Sequence, residues 1–380
     1  MDDVYVYDTS FKLYTIYDSY ESLIWNSHYN TIGDFELYLF ANEKALSELK
    51  VGYILSIKKS DRLMVIEKIE LDESADGKNY IILTGRSLES VLDRRIIRSS
   101  TYFTDISIVD ILTFVVQDSI QYSDEPLFTH NGNNSFELQI DTRNDIYNER
   151  LSNEEYFTLD SSSQNVLDIF ENLCTYYGIG YKMTIDQSSK VILTLYKGTD
   201  RTVNQGVVPP VIFSDKFSNL LYFKHTINTE NYKNDGYCDA SYSNGSGGNQ
   251  QTLIKYPILP YVNGTYAVTG VKRRETYILT PWQSSIMVNN GSQAQSEEAL
   301  AYMRLYAQYS LYYENSPEEE YEIEVDVNDQ TFTFDRDYFI GDIVTIEDPF
   351  GNSISMTCVS IIYSNNTSDG VTLIPKFEVR

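Results

Sequence analysis

Two seven-residue stretches at opposite ends of the chain, "VGYILSI" at 51–57 and "IGDIVTI" at 340–346, share one form: aliphatic, Gly, any residue, Ile, aliphatic, Ser or Thr, Ile. Each follows an alternating run, "FELYL" at 35–39 or "YEIEV" at 321–325, in which apolar residues recur every second position as in a half-buried strand. Downstream each meets an apolar strand, "LMVIEKIEL" or "ISMTCVSIIY", then an Asp-Gly turn at Asp76-Gly77 or Asp369-Gly370, then a closing strand, "YIILTG" or "VTLIPKF". Matched elements in one order predict a duplicated β-module, with one copy at each end of the chain.

Between the copies the texture changes. The stretch "SLESVLDRR" from Ser87 predicts a helix, and "TDISIVDILTFVVQDSI" predicts another, with Thr104 or Asp105 as N-cap. A further helix is expected in "SSSQNVLDIFENLCTYYGIG", with serine caps and Gly178 as its left-handed stop, followed by strands at 179–185 and 191–196. "VVPPVIF" at 207–213 marks a boundary, since paired prolines resist both helix and central strand. Strands near 219–229, a β-rich stretch to about residue 288 and a helix over roughly 292–315 complete the reading. The predicted class is α+β, mainly β. At 380 residues the chain suits two or three domains rather than one core.

Composition excludes several function classes. A formal net charge of -26, from 29 Lys+Arg against 55 Asp+Glu, argues against a groove that grips nucleic acid. Three dispersed cysteines, Cys174, Cys238 and Cys358, support neither a disulfide framework nor a Cys-x-x-Cys metal site. The N-terminus has no signal-like pattern, and no run of eighteen apolar residues occurs, so no membrane segment is expected. No cofactor or metal motif is found. "DESADG" at 72–77 opens like a calcium loop but has Leu83 where the bidentate glutamate belongs, and it reads as a turn. Gly85-Arg-Ser reads as a helix cap and "SNGSGGNQ" at 243–250 as a flexible loop, because neither has P-loop or dinucleotide-binding context. His28, His130 and His225 sit in no catalytic setting, and no catalytic residue is assigned.

Three sets of residues stand out. Trp25, Tyr29 and Gly33 are four apart, the spacing of one helical face, and precede the strand containing Phe35 and Leu37; the aromatics suit a ligand platform or core packing, with Gly33 as a bend or bulge. Arg86, Arg94, Arg95 and Arg98 form the only notable basic patch, and with Glu89 and Asp93 among them they read as a salt-bridged face or subunit contact. In "EEYEIEVDV", Glu320, Glu322, Glu324 and Asp326 line one face of a strand at about 7 Å spacing. That face is either a wet outer surface with cross-strand lysines or the wall of a conduit for anionic cargo.

"SLIWNSHYNTIGDFELYL", "VGYILSI", "RLMVIEKIEL" and "LTGRSLESVLDRRII", with the C-terminal "DYFIGDIVTIED" and "DGVTLIPKFEV", resemble the siphophage tail-hub, or tail-associated, family. The resemblance covers both ends well, "QNVLDIFENLCTYYGIGYKM" moderately, and 120–155 and 236–290 hardly at all. It implies an architecture similar to the contractile-phage baseplate hub. Two related tail-tube-like β-barrels, 1–98 and 211–235 with 291–380, would flank an α+β domain at 99–210 and an inserted β-rich domain at 236–290. Trp25, Tyr29, Gly33, Phe35, Leu37, Gly52 and Gly341 would then pack a barrel or a subunit seam, and the acidic strand would face the lumen. The resemblance further implies a homotrimer at the virion tail tip, made in the bacterial host cytoplasm. Its partners would be a distal tail protein or tube ring, the tape measure protein, and a tip fibre, spike or receptor-binding protein, with DNA passing without specific binding. Many relatives carry a C-terminal hydrolase or receptor-binding extension; this chain ends at Arg380, just after the second barrel, so no enzyme is expected. The alternatives are a carbohydrate-binding tail adhesin and, ranked lower, a glycan or cell-wall hydrolase.

Overall fold

Alternating apolar residues build the start of the chain into seven strands: β1 (Val4–Tyr7), β2 (Leu13–Tyr17), β3 (Ser22–His28), β4 (Asp34–Phe40), β5 (Ile54–Ile57), β6 (Met64–Glu73) and β7 (Asn79–Ser87). A short helix, α1 (Glu43–Glu48), follows β4 and is capped by Asn42, whose side chain accepts from the Ala45 N–H. The computed structural model describes residues 2–73, 79–121, 127–130, 133–152, 156–159, 161, 164–243, 251–259, 268–279, 307, 308, 310, 311, 316–327, 331–368 and 370–379. The chain divides into two compact units, Met1–Phe223 with Ile323–Arg380, and Lys224–Glu322.

In the first unit, the middle of the chain supplies β8 (Thr101–Thr104), β9 (Thr129–His130), β10 (Asn133–Asn134), β11 (Phe136–Ile140), β12 (Tyr156–Leu159), β13 (Gly180–Ile185) and β14 (Val191–Tyr196). Strands β11, β14 and β13 form a small sheet, and its core also contains α2 (Ile108–Val116) and α3 (Val166–Tyr177). Helix α3 ends as its sequence requires, with Gly178 left-handed at φ 61° and its N–H on the Cys174 carbonyl. The caps differ from expectation. Asp105 takes φ 47° and pairs with Arg150, so Ser107, with extended backbone, caps α2 instead. Asn165, not a serine, caps α3. "SLESVLDRR" forms a 3-10 helix over Leu88–Arg94 rather than an α-helix, and every residue from Leu88 to Leu92 is buried, including Glu89. With no solvent face left, Glu89 reaches an internal partner.

The end of the chain contributes β15 (Ile212–Phe213), β16 (Leu220–Asn228), β17 (Asp235–Ser243), β18 (Gln251–Pro257), β19 (Glu275–Leu279), β20 (Glu318–Val325), β21 (Ile343–Glu347), β22 (Ser353–Asn366) and β23 (Gly370–Val379). The chain enters the second unit along β16 and leaves it along β20, and these two strands pair. That unit holds the sheet β18-β17-β19, over a small core that includes Cys238, Ile258 and Ile278. Most of the helix expected at 292–315, the turn at Asp76-Gly77 and the loop 244–250 lie outside the described residues.

The two chain ends form one continuous eleven-stranded sheet in the order β15-β21-β22-β3-β4-β7-β6-β5-β1-β2, with β23 also on β22. The join is β3. It pairs antiparallel with β4 on one side and with Ser360–Asn366 of β22 on the other. Trp25, Tyr29 and Gly33 are therefore not a helical face: Trp25 sits in β3 opposite both Phe35 and Tyr363, fully buried.

The repeated sequence folds twice into the same motif. Lys50–Tyr53 and Phe339–Asp342 are both turns closed by a backbone hydrogen bond from fourth residue to first, at 3.1 Å in each. Their third residues, Gly52 at φ 88° and Gly341 at φ 96°, occupy the left-handed region that a type II turn requires. Each glycine N–H bonds a carbonyl of the next long strand, Ile66 at 2.7 Å or Cys358 at 2.8 Å, and that residue's N–H returns a bond to Tyr53 or Asp342. Directly after the bonded residue both long strands shift register, between Ile66 and Lys68 and between Cys358 and Ser360. The preceding strands differ: β4 pairs with β7, whereas β20 pairs with β16.

Trp25 packs on Phe35 at 5.9 Å between ring centroids, inside a cluster that also holds Leu37, Leu55, Met64 and Tyr363. Replacing it by alanine should lower unfolding free energy by about 3–5 kcal/mol; urea denaturation followed by far-UV circular dichroism checks this, and a loss below 1 kcal/mol, on the order of a surface substitution, would contradict the packing described.

Candidate functional site: a buried polar junction and an acidic strand

Where β3 ends, three parts of the first unit meet around three side chains. Tyr29 is buried, donates its hydroxyl proton to the Gly178 carbonyl at 2.8 Å and accepts from the Gly198 N–H at 3.1 Å. Its backbone N–H bonds Val359 of β22, and its carbonyl accepts from Tyr181 of β13. The ring is passed closely by two glycines. A Cβ on Gly180 would lie 2.2 Å from it, and one on Gly341 2.4 Å. Gly198 in turn leaves room for the Gly341 carbonyl, which a Cβ would meet at 1.8 Å.

Arg62 forms the second tie, from the turn before β6. Its side chain is 3% exposed and bonds Glu89 at 2.9 Å, the Tyr181 carbonyl at 2.6 Å, the His28 carbonyl at 2.5 Å and the Tyr196 hydroxyl at 3.1 Å. Glu89 also accepts from the Met183 N–H at 2.7 Å. Burial pushes the Tyr196 and Tyr181 hydroxyls up, so both stay neutral. A third tie, Asp342, accepts from the Thr199 N–H at 2.7 Å, from Arg201 Nε at 2.6 Å and from the Phe339 N–H at 3.1 Å. Breaking a buried pair such as Arg62–Glu89 strands a charge, so each partner enforces the other's position.

Of the residues singled out in the sequence, Tyr29 and Gly341 lie at this junction, whereas Arg62, Glu89 and Asp342 were not singled out as site residues. Gly33 lies just before β4, its N–H on Ser87 Oγ at 3.0 Å, and a Cβ there would meet the Asn26 carbonyl at 2.1 Å. Ser87 therefore binds Gly33 and does not cap the following helix with its side chain. Phe35 and Leu37 are core residues, and a Cβ on Gly52 would meet only the Thr9 methyl, at an ordinary 3.8 Å. Arg86 pairs with Glu67 and Asp93, Arg94 lies 3.9 Å from Glu67, and the Arg98 N–H bonds Asp118 at 2.8 Å; Arg95 bonds Leu92 through its backbone. Among the described residues no cluster of His, Cys, Asp or Glu could hold a metal ion.

On β20 the expected alternation holds. Glu320, Glu322 and Glu324 are exposed, while Ile323 and Val325 are buried. Lys224 of β16 pairs with Glu322, and His225 bonds Glu319 at 2.7 Å while stacking on Tyr321. Asp326 lies just past the strand, its N–H on the Asn219 carbonyl. The Tyr321 and His225 hydrogen bonds hold the Glu319 carboxyl below its ordinary range.

A family model described as Siphovirus ReqiPepy6 Gp37-like protein matches residues 3–122 and 132–377. No curated protein matches the sequence. Among solved structures, the chain is similar to a 43 kDa tail protein of prophage MuSo2 from Shewanella oneidensis, at a TM-score of 0.52 and 12% identity, covering 100% of this chain and 98% of that one. It is similar to a tail protein from Neisseria meningitidis MC58, also at 0.52 and 12%, over 100% and 97%. A chain of the lidded Francisella PdpA-VgrG complex gives 0.50 at 11% identity, over 99% of this chain and 52% of that one. At such identities the likeness is one of fold.

The junction yields two expected outcomes. Gly52→Ala should cost about 1–2 kcal/mol from backbone strain alone, whereas Gly341→Ala, with Tyr29 in the way, should cost clearly more; equal losses in chemical denaturation would contradict the Tyr29 contact. His28, hydrogen-bonded to Thr31 at 3.1 Å, has its pKa lowered from 6.5 by burial and secondarily by Arg62, with Asp34 opposing. The unfolded chain therefore takes up the proton first. Its stabilising contribution is complete above about pH 6.5 and is lost as pH falls through the lower folded value. Thermal midpoints measured across that window should drop for the natural chain and drop less for His28→Gln.

Proposed function

The chain belongs to the Siphovirus ReqiPepy6 Gp37-like family, and from that premise we propose that it is a structural protein of the phage tail, acting as the baseplate hub at the tail tip. The observation that carries this reading is the twice-used turn, strand and bulge, with both copies held in one sheet through β3. Three copies of a chain with two like modules present six similar units in a ring, which suits a threefold tip seated on a sixfold tube. In this reading each half of the sheet curls toward a barrel with its neighbours, and the closely packed junction keeps the two modules in fixed relation.

The role is mechanical, with no catalytic step. The ring closes the tube, seats against a distal tail protein or tube ring, anchors the tape measure protein and a tip fibre, spike or receptor-binding protein, and opens for DNA. Glu320, Glu322 and Glu324 face the lumen, where repulsion keeps the DNA backbone from sticking. Two fold relatives, from Shewanella oneidensis prophage MuSo2 and Neisseria meningitidis MC58, are tail proteins, which supports the tail assignment.

Solution mass together with immunolabelling of virions tests the reading: a trimer found at the tail tip is expected, and a monomer absent from particles overturns it. Glu322→Lys with Glu324→Lys should leave the trimer intact and slow DNA ejection from purified virions. Unchanged ejection kinetics would remove the acidic strand from the lumen.

A further inference from the structure

The junction forms part of the wall of an open cleft of about 670 Å³. Seven lysines and arginines line it against four aspartates, Asp61, Asp141, Asp335 and Asp342. In a chain of net charge -26 this is a local reversal of sign. The cations come from separate segments of the sequence, so no run of basic residues announces them.

Their positions differ in what they can give to a ligand. Arg62 and Arg201 are held by Glu89 and Asp342 and act as fixed walls. Lys182 pairs with Asp61, and Lys197 pairs with Glu149. The rim is freer. Lys58 is 71% exposed and lies 3.8 Å from Asp3; among the described residues Arg143, 84% exposed, pairs only with the nearby Asp141, and the exposed Lys59 has no ion pair. Exposed pairs of this kind are worth about 0–1 kcal/mol, so a ligand carboxylate can replace the internal partner at little cost.

The lining is not uniformly polar. Phe334, Phe339, Ile340 and Ile361 contribute apolar surface, and the Arg201 guanidinium lies 5.9 Å from the Phe339 ring centroid. Cations around apolar surface match an acidic peptide with an aromatic or aliphatic anchor. They match nucleic acid less well, because a dense polyanion meets the repulsion of the whole chain, whereas a few carboxylates feel mainly the local field.

We infer that this cleft is a docking site for an acidic peptide segment of a partner protein, bound by Lys58, Lys59 and Arg143 at the rim and by the apolar surface around Phe339. The inference does not depend on the tail-tip position or on trimer formation.

The test is fluorescence anisotropy with the full chain and a short fluorescein-labelled peptide of Glu-Glu-Tyr repeats, at low ionic strength. Binding is expected, weakening with added salt and absent for the matching Gln-Gln-Tyr peptide. The triple variant K58E/K59E/R143E should bind at least about tenfold more weakly, with an unchanged thermal midpoint because all three side chains are exposed. Phe339→Ser should weaken binding while leaving its salt dependence. The inference is overturned if the triple variant binds the peptide as well as the natural chain does, if no binding occurs at low salt, or if labelled oligothymidylate of equal charge binds as tightly, which would make the cleft a nucleic-acid site.

Discussion

Everything in the first unit depends on the ladder between Ser22–His28 and Ser360–Asn366, which pairs the start of the chain with its end. Without it the two copies of the repeated module would be independent, and the middle of the chain would have nothing to be clamped between. The ladder is antiparallel and lies beside β4, so β3 is hydrogen-bonded on both sides and cannot slip by one residue without expelling Leu23 and Trp25 from the core. Its closure spans nearly the whole sequence, which places the unit among topologies whose folding waits on distant contacts.

The polar junction adds specificity where the ladder adds cohesion. Arg62 and Glu89 are both almost fully buried, and among the described residues Arg62 Nε and Glu89 Oε2 find no hydrogen-bond partner, so the pair need not be more stabilising than an apolar substitute. What it does is fix geometry. One guanidinium reads the carbonyls of His28 and Tyr181 together with the Tyr196 hydroxyl, and it can do so only when β3, β13 and β14 are in register with each other. Tyr29 applies the same logic through volume, since its ring fills space that Gly180 and Gly341 leave vacant. The two devices fail under different changes, one under loss of charge and the other under gain of a methyl group.

Much of the fold was legible in period-two alternation and in the left-handed stop at Gly178, because those signals are local. The repeated "VGYILSI" and "IGDIVTI" were legible as a pair, and the structure adds that the common element is a type II turn bonded to a bulge. The comparison held a further clue. Where one copy has Tyr53 the other has Asp342, the position at which a polar side chain enters the junction. β3 itself was obscured because Trp25, Tyr29 and Gly33 mimic a helical stripe, and its partner lies more than three hundred residues away, as the pairing of Trp25 with Tyr363 makes plain. Arg62 carried no pattern at all; a lone arginine before an apolar strand reads as surface until tertiary structure buries it. The matched family covers both ends and the middle, including stretches around 132–155 and 236–290 where motif resemblance was weakest.

Charge is the property that sequence arithmetic described least well. The total of -26 is correct and still misleading, because like charges are sorted in space. Carboxylates collect on the exposed face of β20, where Lys224 pairs with Glu322, while cations scattered along the chain converge on one cleft. Repulsion along β20 is tolerable since every second residue is wet, and the apolar residues between, Ile323 and Val325, carry the burial. The cleft is the reverse case: its cations crowd together, and the neighbouring aspartates that offset them are mostly committed to Lys182, Arg143 and Arg201. A surface with this segregation is repulsive at long range and selective at short range. Copies approaching at random are kept apart by net charge, and only a partner whose shape brings acidic groups within a few ångströms of the rim cations escapes that repulsion. For recognition at short range, the sorting of charge matters more than its sum.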